Sequence, residues 1–292
     1  MLKAKKQTWR ELGDAVALTG ESPFWDPVRR AVLSVDIRGE RILETNWDDG
    51  NARIFPVEGL PAFIAPLTDG TLAVATRHGI IGLSRTTGRC IEMLVPAWFA
   101  DHLRLNDGTI DPAGRLLIGT MAMNGALEGQ LFAIERGQPP VALIDGIGIV
   151  NGLAISPDGL WLYISDSHPD HNCVWRYRYD CAGPTVCDRT LFADFKRLGI
   201  AGAPDGAAMD VDGGYWIAAL GGSALIGFDR DGRIAHHIAL PVSQPSKLAF
   251  AGPDMTEVAV TSFSRGDQSA PAGTLIAVSM PSVGAPLQTL AW

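Results

Sequence analysis

With 292 residues, 47% hydrophobic and 19% charged, the chain can bury a substantial core. Its 24 Lys and Arg against 32 Asp and Glu give a formal net charge of -8, and the absence of a basic field excludes nucleic acid as a partner. No run of about eighteen apolar residues marks a membrane span, and the basic start at Lys3, Lys5 and Lys6 is not followed by an apolar stretch of export-signal length, so the expected location is the cytoplasm with no membrane association.

In chain order, Thr8–Leu12 is the first strand candidate. A short phrase then recurs six times: a loop residue, an apolar strand, and a turn ending in Asp-Gly or similar. Its copies start at Glu21, Ala62, Asn106, Asn151, Asp205 and Ser246, separated by 41, 44, 45, 54 and 41 residues. After each copy comes a second strand-like run: 31–36, 71–75, 115–119, 161–165, 215–218 and 257–261. Third runs follow at 41–44, 79–83, 129–134, 173–177, 224–228 and 273–278. Gly and Pro turns separate the runs, and no long helix intervenes. Several short strands per unit, repeated about every 45 residues, are the mark of propeller blades. The fold class expected is therefore all-β: a six-bladed β-propeller with four-stranded antiparallel blades around a central channel, residues 1–292 forming one domain. Ring closure is expected to pair Thr8–Leu12 with Pro286–Trp292. The extra length of the fourth step is expected in Asp194–Pro204 or in the hairpin between Cys181 and Cys187.

The first residue of each copy lies just before the innermost strand, so all six should ring one mouth of the channel. A single Asn or Asp there is ordinary turn chemistry. Four oxygen-bearing residues in register, one of them Glu21, are not explained that way. Glu21, Asn106, Asn151 and Asp205 form an all-oxygen set of the kind preferred by hard divalent cations. The Asp-Gly turns at Asp69, Asp158 and Asp212 should lie at the opposite mouth and be structural. Asp107 is read as holding its turn. Arg104 shares the loop of Asn106 and is placed to meet a substrate oxygen, with a surface salt bridge as the alternative. Arg77 and His78 fall in a loop that can reach the same face. His168 and His171 lie in one polar loop without a third partner nearby and read as solvated. No Gly-x-Ser-x-Gly elbow or P-loop is present. Of Cys90, Cys173, Cys181 and Cys187, none is spaced as C-x-x-C. Cys181 and Cys187 could face each other across a hairpin, but reduced thiols are the expectation for this compartment.

The phrases 20–26, Arg104 to Arg115 followed by Gly119-Thr-Met, 151–159, 204–206 and 249–254 together resemble the regucalcin/gluconolactonase family, also called the senescence-marker-protein family, over nearly the whole chain. The resemblance implies a six-bladed propeller that binds one divalent metal ion (Ca, Mg, Mn or Zn) through Glu21, Asn151 and Asp205. It places Asn106 near the metal or substrate, makes Arg104 a substrate contact, and implies hydrolysis of sugar lactones. Members of the family often carry a Glu shortly after Gly-Thr-Met; here Asn124 takes that place and is assigned to substrate binding. The lost carboxylate suits an anionic sugar lactone, with Arg77, His78, Arg104, Lys247 and Arg265 as candidate counter-charges.

The expected reaction opens an aldono-lactone to its aldonic acid. The metal polarises the carbonyl, and Asp205, also a ligand, accepts the proton of the attacking water. Three alternatives stand beside it. A non-catalytic calcium- or ligand-binding propeller would hydrolyse no lactone. A metal-dependent esterase or organophosphatase on the same fold would want a more apolar pocket and a His proton carrier. A strictosidine-synthase-like propeller would not require the metal slot.

Overall fold

In the computed structural model, which describes residues 8–292, each repeat is one antiparallel four-stranded sheet. The basic start at Lys3, Lys5 and Lys6 lies outside the described residues. After β1 (Trp9–Val16), the first sheet comprises β2 (Gly20–Asp26), β3 (Ala31–Asp36), β4 (Arg41–Asn46) and β5 (Ala52–Pro56). The second comprises β6 (Phe63–Pro66), β7 (Leu72–Thr76), β8 (Gly79–Leu83) and β9 (Cys90–Pro96). The third runs through β10 (Leu103–Ile110), β11 (Leu116–Ala122), β12 (Gly129–Ile134) and β13 (Val141–Ile147). The fourth runs through β14 (Val150–Ile155), β15 (Trp161–Asp166), β16 (Cys173–Asp180) and β17 (Thr185–Asp194), and is followed by the short helix α1 (Phe195–Leu198). The fifth holds β18 (Ala203–Met209), β19 (Tyr215–Leu220), β20 (Ala224–Phe228) and β21 (Ile234–Ala239). The sixth holds β22 (Pro245–Ala251), β23 (Glu257–Ser262) and β24 (Thr274–Ser279), with β1 as its fourth, outermost strand.

The first strands of successive sheets touch in cyclic order β2, β6, β10, β14, β18, β22 and back to β2, which closes a six-bladed propeller. Side chains alternate across each strand, so a strand between two neighbouring blades must be apolar on both faces. The second strands meet that demand: β7 is buried throughout, whereas the outermost β9 is mostly exposed. The core is accordingly split into six layers, one per blade interface. One layer packs Leu33, Val35 and Ile42 against Ile64, Leu72 and Val74. The layer at the closing seam packs Trp25, Val32 and Trp47 against Ala251, Ala259 and Leu275.

Closure follows the expectation at one end only. β1 pairs with β24 from Trp9↔Val278 to Glu11↔Ile276. Pro286–Trp292 does not join the seam: β1 already fills the free edge of β24, and Pro281 and Pro286 lack the amide donors a ladder requires. The C-terminal segment crosses the far mouth instead. There the Ala285 amide donates to the Met209 carbonyl at 3.0 Å and the Ala291 amide to that of Gly114 at 3.0 Å. Leu290 is buried in the layer between the second and third blades.

The long fourth step is absorbed in both expected places. β16 and β17 are the extended hairpin, at 8 and 10 residues, and α1 lies within Asp194–Pro204. Asp194 caps α1 by accepting from the Arg197 amide, and Gly199 ends it at φ 69°. All four cysteines are free. The register sets Cys187 opposite Arg178 rather than opposite Cys181. Among the described residues no helix is long and apolar enough to cross a membrane.

Candidate functional site

The slot residues do not precede the inner strands, as expected from sequence; apart from Ala62 they lie within them, at β-bulges. Register shifts fall between Glu21 and Phe24, Leu105 and Gly108, Asn151 and Ala154, Pro204 and Ala207, and Pro245 and Lys247. A bulge inserts an extra residue and re-aims the side chains beside it. Here it turns the slot side chains toward the axis. The residue after the slot carries the local distortion. Ser22 has φ 48° and Gly152 φ 55°, and a Cβ on Gly152 would lie 2.5 Å from the Tyr215 hydroxyl. At the same position of the fifth blade, a Cβ on Gly206 would collide with the Lys247 side chain at 2.3 Å.

The two carboxamides are joined to each other and to the backbone. Asn106 Nδ2 donates to Asn151 Oδ1 at 2.7 Å and to the Val150 carbonyl at 2.9 Å. Asn151 Nδ2 donates to Ser167 Oγ at 2.9 Å. Asp205 is 3% exposed, and its backbone carbonyl accepts from Ser165 Oγ at 3.1 Å. Glu21 Oε2 accepts from the Ser22 amide at 3.0 Å. Among the described residues, neither Glu21 nor Asp205 has an ion-pair partner within 4.0 Å.

Two slot positions stand outside this cluster. Ala62 is apolar and buried, and Ser246 is fully buried, donating to the Gly20 carbonyl at 2.6 Å, so it fastens the sixth blade to the first.

Asp107 does not hold a turn. It is buried in β10, accepts from the Gly108 amide at 2.8 Å and the Leu153 amide at 2.9 Å, and is ion-paired to Lys247. Lys247 Nζ also donates to the Gly108 carbonyl at 3.0 Å. This pair spans the channel and forms the floor of the site, which removes Lys247 from the candidate counter-charges for a substrate. Below the floor lies a separate cavity of about 650 Å³, lined by Phe24, Phe63, Leu153, Met209 and Phe250 and roofed from outside by Pro286 and Leu287. None of Glu21, Asn106, Asn151 or Asp205 lines it, so this cavity is not the polar site.

Burial and neighbouring charges shift the groups above the floor. Burial, and then the charge of Asp107, push Glu21 up to about 7. Burial, and then the charges of Glu21 and Asp107, hold Asp205 well above the usual carboxylate range. Burial lowers Arg104 to about 10, against the opposing pull of Glu21. Arg104 is half-buried, and its Nη1 donates to the Leu105 carbonyl at 3.0 Å. Arg38, not singled out in the sequence, lies close enough to Arg104 to disfavour its charge.

The remaining candidates sit farther out. Asn124 is exposed in the turn after β11, and its Oδ1 accepts from the Ala126 amide at 3.0 Å. Arg77 and His78 form the exposed β7–β8 turn at the same mouth, and Arg265 is exposed in the loop between β23 and β24. The His168–His171 loop is more ordered than a solvated loop: His171 Nδ1 lies 2.5 Å from Asp166 Oδ2, and the Asp166 carboxylate also accepts the Gly148 and Ile149 amides. Asp69 and Asp158 cap their own turns, through the Thr71 and Leu160 amides. Asp212 lies in the turn between β18 and β19, where its amide donates to Asp210 Oδ1 at 3.1 Å.

The site fits a hard divalent ion by its chemistry. Two carboxylates and amide oxygens converge without a neutralising ion pair, and each carboxylate makes the other harder to ionise. Only two of the donors are acidic, and among the described residues no three Asp, Glu, His or Cys side chains are grouped for a metal.

Residues 19–264 match the family described as the SMP-30/Gluconolactonase/LRE-like region. The chain belongs to this family. A 6-deoxy-6-sulfogluconolactonase of Pseudomonas putida is 33% identical over 259 residues, covering 87% of this chain and 86% of that one. A pentonolactonase of Haloferax volcanii is 29% identical over 291 residues, covering 94% of each. The crystal structure of a calcium-binding protein, regucalcin, from Agrobacterium tumefaciens superposes with a TM-score of 0.90 at 25% identity, covering 98% of each chain.

Proposed function

We propose that the chain is a divalent-metal-dependent lactonase that opens a sugar lactone to its aldonic acid. The observation that carries this reading is two carboxylates without ion-pair partners, Asp205 buried and Glu21 half-buried, beside two oriented carboxamides at one mouth of the channel. The relatives named as sugar lactonases support the substrate class. Glu21, Asn151 and Asp205 would hold the ion, which when bound supplies Lewis acidity toward the lactone carbonyl and acidity to water.

The chain's own residues do the rest. Asp205 accepts the proton of the attacking water, as a carboxylate positioned beside it can. Asn106 has its Nδ2 committed to Val150 and Asn151, so it offers Oδ1 alone and orients water or a substrate hydroxyl by accepting from it. Arg104 presents its remaining N–H groups to a lactone or hydroxyl oxygen. Asn124, at the outer rim, contacts a sugar hydroxyl. The Lys247–Asp107 floor closes the site from below.

A second reading, an anionic sugar lactone, is favoured by the exposed Arg38 lying near Arg104 and by the sulfogluconolactonase relative. The deciding experiment is a pH-indicator screen of neutral and anionic sugar lactones on chelated protein, with Ca²⁺, Mg²⁺, Mn²⁺ or Zn²⁺ added back. Ion-dependent opening of at least one lactone is expected. An ion-binding protein with no such activity would instead be a non-catalytic calcium-binding propeller.

A pH dependence follows from the raised carboxylates. Between 4.5, the ordinary Glu value, and about 7, the folded chain without ion keeps a proton on Glu21 that the unfolded chain has released. Its stability therefore falls as pH rises through that window. Ion uptake needs the carboxylates ionised, so it strengthens over the same range. Thermal melts from pH 5 to pH 8 should show Tm of chelated protein falling, and a growing gap to the ion-loaded protein. At a hundredfold excess over Kd the gap corresponds to about 2.7 kcal/mol, or roughly 5 °C for a chain of this size. A gap that does not change with pH would remove Glu21 and Asp205 from the ion site.

A further inference from the structure

We infer that Ser167 is a positioning residue that fixes which end of the Asn151 carboxamide faces the channel. It follows β15, and its hydroxyl is bonded to Asn151 and to the Pro204 carbonyl. Ser167 Oγ lies 2.5 Å from the Pro204 carbonyl and 2.9 Å from Asn151 Nδ2. A carbonyl can only accept, so the single hydroxyl proton of Ser167 goes to Pro204. Its lone pairs are then all that Asn151 meets, and only the NH₂ end of the carboxamide can satisfy them. Asn151 must therefore turn Oδ1 the other way, toward Asn106 and the axis, where Asn106 Nδ2 donates to it at 2.7 Å.

The same hydroxyl bridges the fourth and fifth blades at the residue before Asp205, so one side chain sets the orientation of one slot residue and tethers the backbone of the next. The inference rests on the reading of Asn151 as an ion ligand given above. A flipped carboxamide would present N–H donors to the cation, so the orientation decides whether Asn151 is a ligand at all. Outer partners of this kind typically contribute 10- to 100-fold to metal affinity.

The test is calorimetric titration of Ca²⁺, and separately Mn²⁺, into chelated wild-type protein, Ser167→Ala, Ser167→Thr, Asn151→Asp and the Asn151→Asp/Ser167→Ala double variant, with a thermal melt of each. Ser167→Ala is expected to raise Kd about tenfold, while Ser167→Thr, which keeps the hydroxyl, stays at the wild-type value. A carboxylate has oxygen at both ends, so in the Asn151→Asp background Ser167→Ala should shift Kd no further. A Ser167→Ala variant that binds like wild type, or one that loses the same factor in both backgrounds, overturns the orienting role even if its Tm falls. Wild-type protein that takes up neither ion takes down the ion reading of the site and this inference together.

Discussion

Asp205→Asn will lower kcat by about 10³-fold with the ion at saturation, the effect expected of a lost general base. The substitution is nearly isosteric and keeps one oxygen for the cation, so the protein should still bind the ion, though less tightly. What it cannot keep is basicity. Asp205 is 3% exposed and has its carboxylate pushed well above the usual range, first by burial and then by Glu21, and its backbone is anchored by Ser165. Single-turnover and steady-state rates measured across increasing ion concentration separate the two roles. If a higher ion concentration restores the wild-type kcat, Asp205 is a ligand and the base is another group. The acidic limb of the wild-type pH–rate profile should also be lost in the variant.

Lys247→Met will destabilise the protein by about 3–5 kcal/mol, because it strands the Asp107 carboxylate in the channel without its cation. Chemical denaturation gives the number directly, and for a chain of this size Tm should fall by roughly 5–8 °C. The Asp107→Asn/Lys247→Met double variant should recover most of the loss, since the amide places no charge in the interior. A single variant as stable as wild type would mean that the floor is open to solvent and that water already screens the pair.

That floor was legible in the sequence, though it was not read there. The residue after each slot is Ser22, Phe63, Asp107, Gly152, Gly206 and Lys247. Asp107 and Lys247 are three blades apart, and so diametrically opposite in a six-fold ring. The glycine at the fifth blade leaves the room the lysine needs, since a Cβ on Gly206 would meet its side chain. Asp107 was read as a turn residue because Asn-Asp-Gly is a turn signal when taken locally. The bulge in β10 makes it a strand residue instead.

Ser167 and Arg38 lie outside the repeated phrase, each in the loop after the second strand of its blade, the loop that carries Arg77 and His78 in the second blade; their residue types differ from blade to blade, so the repeat does not show which of them meets the site. The C-terminal seam went astray for a related reason. Pro286–Trp292 has apolar residues enough for a strand, but strand-like composition does not say whether a sheet edge is free to receive it, and β1 had taken that edge.

The amino-acid sequence by itself determined the six blades, their order and the four oxygen-bearing slot residues, because each blade is a local unit whose strands and turns recur with the chain's own period. Only the tertiary structure decided how those residues act. Closing the ring brings Lys247 to Asp107 across 140 residues, and it brings the slot side chains of separate blades within reach of one another at the axis. The bulges aim these side chains inward, and burial raises the proton affinity of Glu21 and Asp205. Such partnerships follow from distances through space, which a one-dimensional spacing cannot carry.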